Sequence, residues 1–117
     1  MGLDFSGSEV HFSYGGFARF RCVIARKAGL NLDHMIGFGG ATKWDSFKDP
    51  IKYLLNHSDC DGKITAKQCA LCGPRLLEIA EMDDPDPEWK EWIQPSAKQL
   101  GDDMIHCGQF GEPLEFC

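Results

Sequence analysis

Residues 57–65, HSDCDGKIT, concentrate more potential chemistry than any other stretch of this chain. Two aspartates alternate with other residues, a glycine follows, and an isoleucine comes two positions later. This is the heart of a calcium-binding loop, in which oxygen ligands occupy positions 1, 3, 5, 7, 9 and 12 and a glycine at position 6 makes the turn. Aligning the glycine places His57 at position 1, Asp59 at 3, Asp61 at 5, Lys63 with its carbonyl at 7, and Gln68 at 12. Imidazole is a poor partner for a hard cation, and Gln68 offers one neutral oxygen where a bidentate carboxylate is wanted. Such a degenerate EF-hand would bind calcium weakly.

The same window supports a second metal. His57, Cys60, Cys69 and Cys72 are spaced H-x2-C-x8-C-x2-C, with ligand types suited to a tetrahedral structural zinc site. A third reading needs no metal: the aspartates bond nearby amides, Gly62 takes the left-handed turn, and Thr65 caps the next helix. The metal-free turn is the reading adopted, with weak calcium or structural zinc as alternatives and no cofactor expected.

The elements that position this turn follow from periodicity. SEVHF (8–12) alternates as a short strand. Ser13 caps a helix over YGGFARFRCVIARKA, with Phe17, Phe20, Ile24 and Ala28 facing the core, Val23 alongside, and Arg19, Arg21, Arg26 and Lys27 on the surface. Gly29 ends it, and Gly15 and Gly16 weaken its first turn. The GFGG segment reads as a surface loop, with no phosphate-loop lysine after it. DPIKYLLNH opens a short helix at Pro50. Thr65 and Gln68 form a capping box for the helix ITAKQCALCGPRLLEIAEM. Cys69, Leu71, Cys72, Leu76, Ile79 and Ala80 form its apolar stripe, and Gly73-Pro74 is expected to kink or interrupt it. After the DDPDP linker a last helix carries Trp89, Trp92, Ile93, Leu100, Met104 and Ile105 inward, disturbed at Pro95. EPLEFC is a second strand candidate, expected to pair with SEVHF. The expected fold is a single α+β domain over 1–117, mostly α, with an EF-hand-like helix-turn-helix and a short terminal β element.

Charge separates along the 117 residues. Residues 1–30 are net +2, residues 31–77 net +1, and residues 78–117 net −9, where eleven acidic side chains face two basic ones. The acidic balance opposes broad nucleic-acid binding, which needs an excess of Lys and Arg. No apolar run approaches a membrane span. MGLDFSGSEVHF has no secretory pattern, so the six cysteines read as reduced thiols in a cytoplasmic protein. Two binding surfaces present themselves. Asp83, Asp84, Asp86, Glu88 and Glu91 would suit a basic protein partner. Tyr14, Arg19, Arg21 and Arg26 would instead hold an anionic nucleotide or signal molecule, because arginine pairs with phosphate through two parallel bonds. No catalytic signature accompanies His57 and Cys60, so a binder is expected rather than an enzyme, with a homodimer compatible with its size.

The runs SYGGFARFR, GFGG, LLNHSDCDGKIT and GEPLEF together resemble a group of small bacterial and phage proteins. In these, a phrase like SYSGF precedes the first helix and HSDCDGE plus a helix start forms the centre. The resemblance spans nearly the whole chain and implies a fold type and a bacterial or phage setting, but no activity. The group pattern includes Cys60 without the second cysteine pair, which weakens the zinc reading. Lys63 stands where Glu is common. In that setting the expected role is to occupy a host protein, for example as an inhibitor of a defence complex.

Overall fold

The computed structural model describes residues 3–6, 8–36, 38–56 and 62–116. Among these residues, four helices and a four-stranded antiparallel sheet make a mostly helical α+β arrangement. The strands are β1 (Leu3–Ser6), β2 (Ser8–Phe12), β3 (Lys63–Ile64) and β4 (Leu114–Phe116), in the order β2-β1-β4-β3. The sheet corrects one expectation. β4 pairs with β1 and β3, not with SEVHF. LDFS alternates apolar and polar residues and lies next in sequence to SEVHF, so the two strands pair locally and β1 separates β2 from β4.

The first helix, α1, runs Tyr14–Lys27. Ser13 Oγ accepts the Gly16 N–H at 2.9 Å, so the helix starts at Tyr14 despite the glycine pair. Gly29, at φ +86°, terminates it. Its apolar stripe meets the sheet in an aromatic cluster. The Phe5–Phe116 and Phe12–Phe20 ring centroids are each 4.8 Å apart, and Phe17 lies against Phe5, Phe12 and Phe116.

Helix α2 (Lys52–Leu55) is short and buries Leu54 and Leu55, with Ile51 beside them. One Asp49 oxygen accepts the Ile51 N–H at 3.0 Å, and the other bonds Arg75 Nε at 2.8 Å. That residue therefore ties α2 to α3 (Ala66–Ala80). The helix α3 continues through Gly73-Pro74 without interruption. Pro74 is exposed, so its ring projects to solvent, and the one lost backbone bond is offset by packing on the opposite face.

That opposite face meets α4 (Gln94–Phe110), which a π-helical turn at Trp89–Ile93 precedes. Pro95 thus falls at the start of a regular helix, beside the disturbance the sequence signals. The two helices form an antiparallel hairpin in which Gly73 faces Gly101 and Ile105, while Gly108 faces Ala70. Three glycines let the backbones approach closely. Leu71 is exposed, while Ala28, Trp92 and Ile105 are half-buried rather than fully inside. No helix among the described residues is long and apolar enough to cross a membrane.

Candidate functional site

The central turn is framed as its sequence requires. Gly62 has φ +91°, a left-handed conformation that a side chain rarely adopts. Lys63 and Ile64 then pair with Glu115 and Leu114 of β4. The capping box is complete: Gln68 N–H donates to Thr65 Oγ1 at 3.2 Å, and Thr65 N–H donates to Gln68 Oε1 at 3.1 Å. The carbonyl oxygen that a calcium ion would need from Gln68 is therefore already an acceptor. His57, Asp59, Cys60 and Asp61 lie outside the described residues.

Cys69 and Cys72, the other half of the zinc reading, are fully buried on the core side of α3. The Cys69 thiol donates to Ile64 O at 3.6 Å, and burial pushes its pKa up to about 11. Burial also raises Cys72 and Cys107. Zinc binds thiolate, and these surroundings favour the neutral thiol. Among the described residues, no three His, Cys, Asp or Glu side chains are placed together to hold a metal ion.

The four residues proposed for an anionic ligand do not converge. Arg19 and Arg26 line one groove of about 400 Å³ with Cys22, Asn31 and Asp33. Arg21, expected on the surface, is buried. Its guanidinium lies 4.6 Å from the Phe17 ring centroid and 5.0 Å from that of Phe38, and Nη1 donates to Leu55 O at 3.4 Å. A planar cation between two rings keeps favourable contacts while losing water, which the helical period alone could not reveal. Tyr14 is partly exposed at the start of α1 and does not line the groove.

The acidic residues do gather, at the tip of the α3–α4 hairpin, and several serve the fold. Asp83 Oδ1 accepts the Asp84 N–H, Asp84 Oδ1 accepts the Asp86 N–H, and Asp86 Oδ1 accepts the Glu88 N–H, at 3.1, 2.9 and 2.9 Å. Asp86 O also accepts the Trp89 N–H, so Asp86 acts as an N-cap with Pro87 just inside. Two cations of α1 reach this segment: Lys27 Nζ bonds Asp84 at 2.8 Å while lying over the Trp89 ring, and Arg19 Nε bonds Glu88 at 2.7 Å. The Lys27 bond holds the Asp84 carboxyl below the usual range. The two surfaces proposed as alternatives thus partly neutralise each other. Glu91 remains exposed, and so are Glu78 and Glu81 at the end of α3, which the acidic set read from the sequence left out.

No family model, curated protein or solved structure matches this chain.

Proposed function

We propose that this chain is a small non-enzymatic binding protein of bacterial or phage origin that acts in the cytoplasm by occupying a basic surface of a host protein. The observation that carries the reading is the hairpin tip. Glu78, Glu81, Asp83, Asp86 and Glu91 are each exposed along this stretch, while Lys27 and Arg19 of α1 pair with Asp84 and Glu88. Exposed carboxylates on a helical hairpin, with no ion pair to Glu78, Glu81 or Glu91 among the described residues, present a negative field, and such fields steer encounter with a positive partner. A surface that otherwise holds nucleic acid has the matching charge. Binding rather than catalysis is also favoured by three of the four described thiols and by the described histidines. Cys69, Cys72 and Cys107 are buried in surroundings that disfavour thiolate, and His11, His34 and His106 are exposed on separate elements.

The test replaces charges that the fold does not use. Glu78→Lys, Glu81→Lys and Glu91→Lys reverse the tip and leave the Asp83–Asp86 bonds and both ion pairs intact. Affinity capture from a bacterial lysate at low salt, followed by quantitative mass spectrometry, should retain a basic protein with the native chain. That protein should be lost with the triple variant, on raising the salt, and on adding competing nucleic acid. Equal capture by the native chain and the triple variant would sink the proposal.

A further inference from the structure

A hollow of about 390 Å³ opens between the turn Trp44–Ser46, α2 and the start of α3. We infer that it is a binding site for a nucleoside monophosphate. It is separate from the acidic tip and does not depend on it. Its size falls within the roughly 300–1,000 Å³ of small-molecule clefts, and its lining combines the three kinds of group that such a ligand needs.

The first is an aromatic surface for the base. Trp44 and Tyr53 both line the hollow and are both half-buried, so each ring keeps an accessible part. Trp44 is held in place: its Nε1 donates to Ile36 O at 2.9 Å, and its ring packs edge-on against Phe38. A ring already fixed loses little entropy when a base stacks on it.

The second is cationic charge for the phosphate. Lys52 and Lys63 line the hollow, and the Lys52 ammonium sits 5.8 Å from the Tyr53 ring centroid. Cation and aromatic ring therefore lie close together, within the span that a ribose bridges between phosphate and base. Among the described residues that line the hollow, two lysines stand beside the carboxylate of Asp45.

The third is neutral hydrogen-bonding capacity. Asn56 is exposed at the rim, and Gln68 reaches it from α3. The capping box uses Gln68 Oε1 and leaves the carboxamide N–H groups as donors. Asp45 supplies an acceptor for ribose hydroxyls. The residues come from four elements, the Trp44–Ser46 turn, α2, β3 and α3, which is why no motif announces them. Unlike the arginine set, of which Arg21 is buried elsewhere and Tyr14 lies apart, these residues line one hollow.

The deciding experiment is isothermal titration calorimetry of the full chain with AMP and GMP, and with adenosine and inorganic phosphate as the separate halves. At least one mononucleotide should bind, with each half weaker by about tenfold or more, because stacking and phosphate contacts each contribute on the order of a factor of ten. Lys52→Ala should weaken the mononucleotide about tenfold, with a native melting temperature. Trp44→Leu should weaken it similarly, and if that variant fails to fold, Lys52→Ala still decides. Arg26→Ala, in the other groove, should change nothing. The inference is overturned if neither mononucleotide gives heat at millimolar concentration, or if Lys52→Ala binds as the native chain does. It is also overturned if phosphate alone binds as tightly as the nucleotide, or if Arg26→Ala abolishes binding.

Discussion

Replacing Gly108 by alanine tests whether the α3–α4 hairpin is held by close backbone contact. Two effects oppose each other. Alanine in a helix interior is favoured over glycine by about 1 kcal/mol. Against this, a Cβ added at Gly108 would lie 2.9 Å from both Cα and Cβ of Ala70 and 3.0 Å from its nitrogen. These are main-chain atoms and the first side-chain carbon, so no rotamer change relieves the clash. Overpacking costs roughly 1–3 kcal/mol, and a contact with backbone belongs at the upper end. The net expectation is a loss of about 2 kcal/mol, or about 8 °C in melting temperature for a chain of this size.

Two other glycines supply the controls. At Gly101 the added carbon would meet the Leu77 side chain at 2.8 and 2.9 Å and Gly73 O at 3.3 Å; the half-buried side chain can turn aside, and the carbonyl need give by only a few tenths of an ångström. Gly101→Ala should therefore fall within about 0.5 kcal/mol of the native chain, gain and clash nearly cancelling. At Gly15 nothing lies within 4 Å of the added carbon, so Gly15→Ala should stabilise by about 0.5 kcal/mol. Urea unfolding followed by circular dichroism gives the order Gly15→Ala, native, Gly101→Ala, Gly108→Ala from most to least stable, the middle two nearly equal. Gly108→Ala at or above native stability would show that the helices do not approach as described, and the reasoning would fail.

Further expectations follow from buried groups. Arg21→Lys keeps the charge but loses the plane that stacks on Phe17 and Phe38, and should cost about 1–2 kcal/mol by urea unfolding; no measurable change would refute the stacking role. The folded Cys69 thiol is pushed up to about 11, from 9.0 when unperturbed, so between those values the native state binds more protons than the unfolded one. Its contribution to stability should be complete below about pH 9 and lost as pH rises toward 11, a loss that Cys69→Ala would remove from the pH profile. Iodoacetamide labelling mapped by mass spectrometry should modify Cys69 and Cys72 only after unfolding. Overnight EDTA dialysis should leave the melting temperature unchanged; a large drop would favour the zinc reading, with Cys69 and Cys72 as ligands.

Local signals were legible where the chain's own neighbours decide the outcome. The Ser13 and Thr65 caps, the Gly29 and Gly62 turns and the core spacing of Phe17, Phe20 and Ile24 all depend on residues a few positions apart. What escaped depends on distant partners. Arg21 reads as a surface residue until the Phe38 loop and the end of α2 close over it. Pro74 reads as a helix breaker until α4 packs on the far side of α3. β4 reads as a partner for SEVHF until β1 intervenes. The hollow at Trp44 is the extreme case, because its lysines, rings and amides meet only in three dimensions.

The acidic segment shows why a charge count overstates a binding surface. Residues 83–88 contain four carboxylates, and each has a bond to make within the fold: three accept backbone N–H groups of the linker, and Asp84 and Glu88 also hold α1 through Lys27 and Arg19. Reversing Asp83, Asp84 and Asp86 would remove a helix cap and an ion pair together with any interface, so loss of binding in that variant would not distinguish recognition from misfolding. Glu78, Glu81 and Glu91 stand beside them on helical turns and are exposed, with no such bond among the described residues. If the tip is a recognition surface, these three glutamates should carry the salt-sensitive part of binding, while the neighbouring aspartates hold the hairpin in the shape that presents them.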